Sequence, residues 1–369
     1  MSHQIKLPDY ENCIANLPNS ILKKWGLPQR GSSLPLADRY LEQDCTNVVV
    51  LLLDGMGSSI LKRHLDADGF FRTHVAGTYS STFPPTTVAA TTSIDNGMAP
   101  CGHGWLGWDC YYPRIDKNVT VFLNTEQGTD TPAAEYFVAG RYCGYESILE
   151  QIRKAGGNAY AVSPFVAPRP QSFEQICAQI LELCQKPGQK YIYAYWMEPD
   201  HILHVSGCGS EASREMMQRL EVQVGELTEQ LKGTDTRLFV TADHGHIDSK
   251  GVSITDYPEL MDCLVRMPSI EPRALNLFIK EGKKAQFEQA FQRLFGDKFI
   301  LYTKQQVLEQ QLFGTGMEHA EFRAMLGEYL AVAVSDLSIY NSREEAARFI
   351  GVHAGLTREE MEIPLIVAL

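Results

Sequence analysis

Residues 48–57 read Val48-Val49-Val50-Leu51-Leu52-Leu53-Asp54-Gly55-Met56-Gly57, six aliphatic residues followed at once by a carboxylate in a glycine-rich turn. Six consecutive aliphatic residues are typical of a strand with both faces covered, as in parallel sheets. The carboxylate at the end of this strand has two interpretations. Asp54 either caps the helix that begins near Ser58 or binds a metal ion.

Two later apolar segments, residues 191–196 and 238–242, are each followed by an aspartate and a histidine: Asp200 with His204, and Asp243 with His244. Asp200 and His204, four apart, share one face of a helical turn and can bind the same metal ion; the alternative is a solvent-exposed face. Asp243 and His244 are adjacent and can both reach a metal ion from an irregular turn; the alternative is a turn in which the aspartate caps a helix. In an open α/β sheet, sites form beyond the carboxyl ends of the strands. We therefore expect one crevice that gathers all of these groups.

The order of the predicted elements indicates an α/β fold. We predict strands at 47–53, 159–163, 190–196, 236–241 and 365–369, and helices at 145–156, 173–185 and 211–232. Strands that alternate with helices build a mostly parallel central sheet flanked by helices.

The stretch between Asp243-His244 and His353 has a different pattern of predicted elements. Short strands and helices follow one another there, and we predict a small inserted α+β cap subdomain at 266–340, with a catalytic core at 1–265 and 341–369. The turn-rich stretch 111–140 is predicted to be a long excursion near the site.

The charge balance excludes one class of partner. The chain has 45 acidic and 33 basic residues, a net charge of −12, whereas nucleic-acid polymers select basic surfaces. A small phosphoester remains compatible, because a bound metal ion reverses the local field.

We predict a cytoplasmic protein that does not span a membrane. The longest aliphatic run, 48–53, is far shorter than a membrane span, and the first 26 residues lack the pattern of a signal peptide. Nine cysteines without paired spacing indicate reduced thiols. The oligomeric state is not indicated by the sequence.

Thr82 lies in a run of small and polar residues, 80–87, ahead of a predicted helix at 88–93. A helix start offers free N–H groups to a phosphate, and a hydroxyl there becomes nucleophilic if a metal ion lowers its pKa. The alternative is a plain helix cap. His353, between two glycines, is either a metal ligand or an ordinary surface or core histidine. We expect the neighbours His201, His246 and Asp248 to support the ligands, and His103 to line the pocket.

Together and in this order, these segments resemble the alkaline phosphatase superfamily, and within it the type I phosphodiesterase/nucleotide pyrophosphatase family. The likeness runs through residues 48–57, 82–84, 199–207, 243–245 and 351–355. It implies an alkaline phosphatase-like fold and the metal-dependent hydrolysis of a small phosphoester, above all a phosphodiester.

The resemblance also implies roles for seven residues. One zinc ion would be held by Asp200, His204 and His353; the other would be held by Asp54, Asp243, His244 and the Thr82 hydroxyl. Manganese is a possible replacement for zinc. Thr82 would attack phosphorus and carry the phosphoryl group as phospho-threonine.

One departure from the family pattern concerns a residue that contacts the substrate. Nucleotide-cleaving members have an asparagine that contacts a phosphoryl oxygen, and the comparable place here, 107–109, has none. The alternatives are therefore a phosphomonoesterase or phosphonate hydrolase with the same centre, a metal-dependent phosphomutase, or a non-catalytic protein that binds metal or phosphate.

Overall fold

The structure, a computed structural model, describes residues 3–369. Within that range the chain forms seventeen strands: β1 Asn47–Leu53, β2 Val75–Ser80, β3 Asp109–Tyr112, β4 Lys117–Thr120, β5 Thr125–Glu126, β6 Asn158–Val162, β7 Lys190–Trp196, β8 Thr236–Thr241, β9 Ile247–Asp248, β10 Lys250–Ser253, β11 Ser269–Glu271, β12 Ala274–Leu277, β13 Phe299–Thr303, β14 Tyr329–Ala333, β15 Leu337–Tyr340, β16 Gly351–Val352 and β17 Glu362–Ala368.

The same range contains seventeen α-helices and a 3-10 helix at Ile254–Asp256. The α-helices are α1 Asn16–Lys24, α2 Pro35–Leu41, α3 Ser58–His64, α4 Phe70–Thr73, α5 Thr87–Asn96, α6 Pro100–His103, α7 Val138–Tyr142, α8 Ile148–Lys154, α9 Phe173–Gln185, α10 Asp200–Ser206, α11 Glu211–Leu231, α12 Pro258–Met261, α13 Lys284–Phe295, α14 Lys304–Glu309, α15 Phe322–Met325, α16 Arg343–Arg348 and α17 Arg358–Met361.

The central sheet has six strands in the order β2-β17-β8-β1-β7-β6. β1 pairs in parallel with both β7 and β8, and β6 pairs in parallel with β7. Only β17 is antiparallel to the strands on both sides of it, β2 and β8. The prediction of a mostly parallel, helix-flanked α/β sheet is confirmed, and the predicted strands 47–53, 190–196 and 236–241 agree with the structure residue for residue.

β1 is the middle of the largest hydrophobic core. All seven of its residues are buried, because parallel neighbours cover both edges and helices cover both faces. Its aliphatic run therefore places Asp54 at the bottom of a crevice, at the point where the strand leaves the core.

The second sheet joins two distant parts of the chain. Its seven strands have the order β13-β14-β12-β11-β3-β4-β5, so the strands predicted within the insert continue into strands of the 109–126 region. Ile270 of β11 is the pairing partner of Asp109 of β3. The region 109–126 therefore supplies three of the seven strands of this sheet, and the division into core and insert at 266 and 340 stays a prediction.

No helix in residues 3–369 combines the length and the apolar character that crossing a membrane requires.

A buried ion pair ties the second sheet to the loop that carries His353. The side chains of Arg273 and Glu360 are both fully buried, with Nε to Oε1 at 2.6 Å and Nη2 to Oε2 at 2.9 Å. Glu360 Oε1 also accepts the N–H of Gly355 at 2.7 Å, and Arg273 donates to the carbonyls of Ser335 and Leu337. Two backbone segments therefore depend on this one pair.

We predict that Glu360→Ala lowers the free energy of unfolding by about 3–5 kcal/mol, because it leaves the Arg273 guanidinium buried without its partner. Denaturant unfolding measures the loss. The matched control is Glu229→Ala, which removes the partner of Lys232 from an exposed pair and should cost far less. Equal small losses for the two variants would show that the buried pair does not stabilise the fold.

Candidate metal centre

The predicted ligands meet at the carboxyl edge of the central sheet. The parallel strands β1, β7 and β8 end there, and they are followed by Asp54, by Asp200 with His204, and by Asp243 with His244. β17 runs the other way, so the chain before it, with His353, returns to the same edge. Strand direction alone therefore brings six of the seven predicted residues together.

Asp200 stands in the middle of the cluster, because it belongs to two groups of possible metal donors. In the first group it joins three imidazoles, and all donor atoms lie within 4.8 Å of one another: His204, His246 and His353. His204 Nε2 lies 3.4 Å from Asp200 Oδ1, and His353 Nε2 lies 3.9 Å from the same oxygen. This group contains the three ligands expected for one ion.

The second group joins Asp200 to Asp54 and His244. His244 Nε2 lies 3.3 Å from Asp54 Oδ1 and 3.6 Å from Asp243 Oδ2. Asp243 Oδ1 accepts the N–H groups of His244 and Gly55 at 3.0 and 3.1 Å, whereas its Oδ2 is buried without a hydrogen-bond partner in the described chain. A cation beside His244 would satisfy this buried oxygen, so the residues present fit a metal ion.

Backbone carbonyls orient three of the imidazoles. The Nδ1 atoms of His204, His244 and His353 each lie at hydrogen-bond distance from a carbonyl oxygen: Gly351 at 2.7 Å, Gly245 at 3.2 Å and Pro85 at 3.1 Å. With Nδ1 as the donor, each Nε2 keeps its lone pair for a metal ion.

The carboxylates are too close to one another to remain ionised without a compensating charge. Burial and the neighbouring Asp200 raise the pKa of Asp54 well above its ordinary value, and burial and Asp54 do the same to the pKa of Asp243. Burial also acts to raise the pKa of Asp200, but the imidazoles of His204 and His246 outweigh it and lower that pKa. Divalent ions would supply the missing positive charge.

His246 supports Asp200 by a hydrogen bond. Its Nε2 lies 2.7 Å from Asp200 Oδ1, whereas two ligands of one tetrahedral zinc ion, with bonds of about 2.0–2.1 Å, stand about 3.3 Å apart. The other predicted neighbours differ. His201 is exposed, Asp248 accepts the N–H of Cys208 at 2.6 Å, and His103 bonds to Ser93 outside the cavity lining.

The structure places Thr82 and Thr87 in different surroundings. α5 begins at Thr87, one residue before the predicted helix at 88–93, so Thr82 lies five residues ahead of the helix. The Thr82 side chain is fully buried, and the described hydrogen bonds give its Oγ1 a single partner, the Pro84 carbonyl at 3.5 Å. Thr87 Oγ1 instead lies 3.5 Å from both Asp54 carboxylate oxygens and 3.3 Å from His244 Nε2. The structure thus joins Thr87, not Thr82, to the ligands.

A cavity of about 520 Å³ opens from the cluster toward the second sheet. Its lining includes Thr87, Asp200 and His353 of the cluster, and also Trp108 and Glu271. Burial raises the pKa of Glu271 to about 7, although hydrogen bonds from the Thr86 hydroxyl and from the backbone N–H of Trp108 oppose that rise. The cavity can therefore hold a small substrate with its reactive group at the metal end.

Comparisons with known proteins found a family model and several solved structures that are similar to this chain. The family model of type I phosphodiesterases/nucleotide pyrophosphatases matches residues 48–355, and no curated protein matches the sequence. Among solved structures, human ectonucleotide pyrophosphatase/phosphodiesterase 5 is similar with a TM-score of 0.66 and 17% identity, over 87% of each chain. The murine protein is similar with a TM-score of 0.60 and 18% identity, again over 87% of each chain, both by itself and as an inactive threonine-to-alanine variant in complex with AMP.

The solved structures share the fold, and the family match covers every segment that carries a predicted metal ligand. The resemblance inferred from the sequence is confirmed: the chain belongs to the type I phosphodiesterase/nucleotide pyrophosphatase family and is a metal-dependent phosphoric ester hydrolase.

Proposed function

We propose that this protein hydrolyses a small phosphodiester through a phospho-threonine formed on Thr87, at a centre of two zinc ions. The observation that carries the proposal is the position of the Thr87 hydroxyl, 3.3 Å from His244 Nε2 and 3.5 Å from the Asp54 carboxylate. No other hydroxyl in the described chain has a hydrogen bond to both of these residues.

The donor set supports zinc. Carboxylates and imidazoles, without a thiolate, suit zinc and also manganese. Asp200, His204 and His353 would hold one ion, and Asp54, Asp243, His244 and the Thr87 hydroxyl would hold the other. When bound, the ions would lower the pKa of the hydroxyl and stabilise negative charge on the phosphoryl oxygens.

The protein's own residues then have defined tasks. Thr87 Oγ1 attacks phosphorus, a bond forms between this oxygen and phosphorus, and the bond to the leaving oxygen breaks; in the balance of the step, the proton lost by Thr87 ends on that leaving oxygen and completes the alcohol. A water molecule later attacks the same phosphorus and restores the free hydroxyl. Tyr195 donates its phenolic hydrogen to Asp54 Oδ2 and keeps that carboxylate turned toward Thr87.

The relatives support both parts of the proposal. The murine protein is described as inactive when a threonine is replaced by alanine, and that variant binds AMP. A reactive threonine and a ligand with a single phosphate ester are therefore compatible with this fold.

A cytoplasmic location stays a proposal. It is supported by the nine cysteines, which are all free thiols in the described chain.

We predict that the zinc-loaded protein contains two ions per chain. His353→Ala removes a donor from one group and should lose one ion, whereas Asp200→Ala removes a donor from both groups and should lose more. Metal analysis by mass spectrometry after dialysis measures the content. His74→Ala, which changes an exposed histidine, should retain both ions. One ion or none in the wild type would contradict a dinuclear centre.

We predict that Thr87→Ala reduces turnover of p-nitrophenyl phosphodiesters by roughly 10³-fold, because it removes the attacking oxygen. Metal content and the unfolding midpoint should stay close to wild type, since three other protein ligands remain. The matched control is Thr82→Val, which removes the hydroxyl that was first expected to react. A large loss for Thr82→Val with full activity of Thr87→Ala would place the nucleophile at Thr82.

A further inference from the structure

The start of α5 has an unusual cap. Thr86 is the residue before the first helical turn, with an extended backbone at φ −142° and ψ 149°, and its side chain makes no cap hydrogen bond. A threonine at this position ordinarily accepts the N–H of the second or third helical residue. Here the hydroxyl turns away and donates to Glu271 Oε1 at 2.6 Å. The Thr86 hydroxyl therefore contacts the second sheet instead of capping the helix.

The first backbone N–H groups of α5 are therefore left without the side-chain cap that Thr86 would supply. The first bond of the helix runs from the Ala90 N–H to the Thr86 carbonyl at 2.9 Å. In the described chain the N–H groups of Thr87, Val88 and Ala89 have no hydrogen-bond acceptor. Buried N–H groups without a partner are costly, and a helix start of this kind attracts anions.

The open N–H groups lie at the reactive end of the cavity. They belong to the same turn as the Thr87 hydroxyl, which contacts Asp54 and His244, and Thr86 and Thr87 both line the cavity. The anion that would reach this place in the proposed reaction is the phosphoryl group of the substrate.

We propose that Glu271 is a positioning residue: it holds the Thr86 hydroxyl off the helix start and so keeps the N–H groups of α5 free to bind phosphoryl oxygens. The inference rests on the proposed function. The same Glu271 oxygen accepts the backbone N–H of Trp108 at 2.8 Å, within the segment 107–109 where the asparagine of the family pattern is missing. Glu271 thus fixes that segment and the helix start together.

The charge of Glu271 by itself would act in the opposite direction. A carboxylate near a phosphoryl anion repels it, so a through-space effect predicts tighter phosphate binding when the carboxylate is removed. The positioning role predicts weaker binding for Glu271→Ala, because the freed Thr86 hydroxyl turns onto the helix start and competes for the N–H groups. Glu271→Gln keeps an oxygen that accepts from both donors and should preserve the open start.

The test measures the affinity of the zinc-loaded protein for inorganic phosphate by isothermal titration calorimetry, with metal content measured on the same samples. Glu271→Ala should bind phosphate on the order of tenfold more weakly, and Glu271→Gln should stay close to wild type. Thr86→Val in the Glu271→Ala background removes the competing hydroxyl and should restore most of the affinity. The matched control, Glu345→Ala, removes another carboxylate of the cavity lining and should not weaken binding.

The unfolding midpoint of each variant, measured on the same samples, separates weaker binding from misfolding, because removing both partners of a buried hydrogen bond can also restore stability. Glu271→Ala with wild-type or tighter affinity would overturn the inference, and so would a double variant that binds no better than Glu271→Ala. Phosphate binding is independent of turnover. The expected pattern without hydrolysis of any ester would uphold the inference and refute the proposed function.

Discussion

Three carboxylates buried side by side are the constraint on which the rest of this structure depends. Asp54, Asp200 and Asp243 leave the ends of three adjacent parallel strands, and each has an imidazole beside it. Such a group is costly to bury without positive charge. Metal ions resolve the cost, and the unpaired Asp243 Oδ2 shows where one of them would bind. With metal ions bound, the acid-rich edge of the sheet would become the phosphate-binding centre that we propose.

The segment before α5 connects this centre to the second sheet. Three consecutive residues each contact a different part of the site: the Pro85 carbonyl meets His353, the Thr86 hydroxyl meets Glu271, and the Thr87 hydroxyl meets Asp54 and His244. Residues 85–87 therefore contact a proposed metal ligand and the second sheet, and they include the proposed nucleophile. A change at Glu271 can reach this segment through the hydrogen bond from Thr86.

Most of the central sheet and six of the seven predicted site residues follow from local sequence. An aliphatic run ends in a polar residue, and parallel strands then bring those ends together. Thr87 could not be separated from Thr82 in this way, because several hydroxyl residues stand in one run. The choice depends on where the helix starts and on Glu271, which lies 185 residues further along the chain than Thr86. The pairing of Ile270 with Asp109 likewise joins segments that no local pattern connects.

The most direct test of this account is to locate the phosphoryl group on the protein. Zinc-loaded enzyme is quenched in acid while it turns over bis(p-nitrophenyl) phosphate, and peptides are sequenced by mass spectrometry. Both candidate threonines fall on one tryptic peptide, residues 73–114, so the fragment spectra must assign the site. The account predicts a p-nitrophenyl phosphoryl group on Thr87, because only one of the two ester groups has left phosphorus at that stage. The same group on Thr82, or steady turnover without any modified peptide, would contradict it.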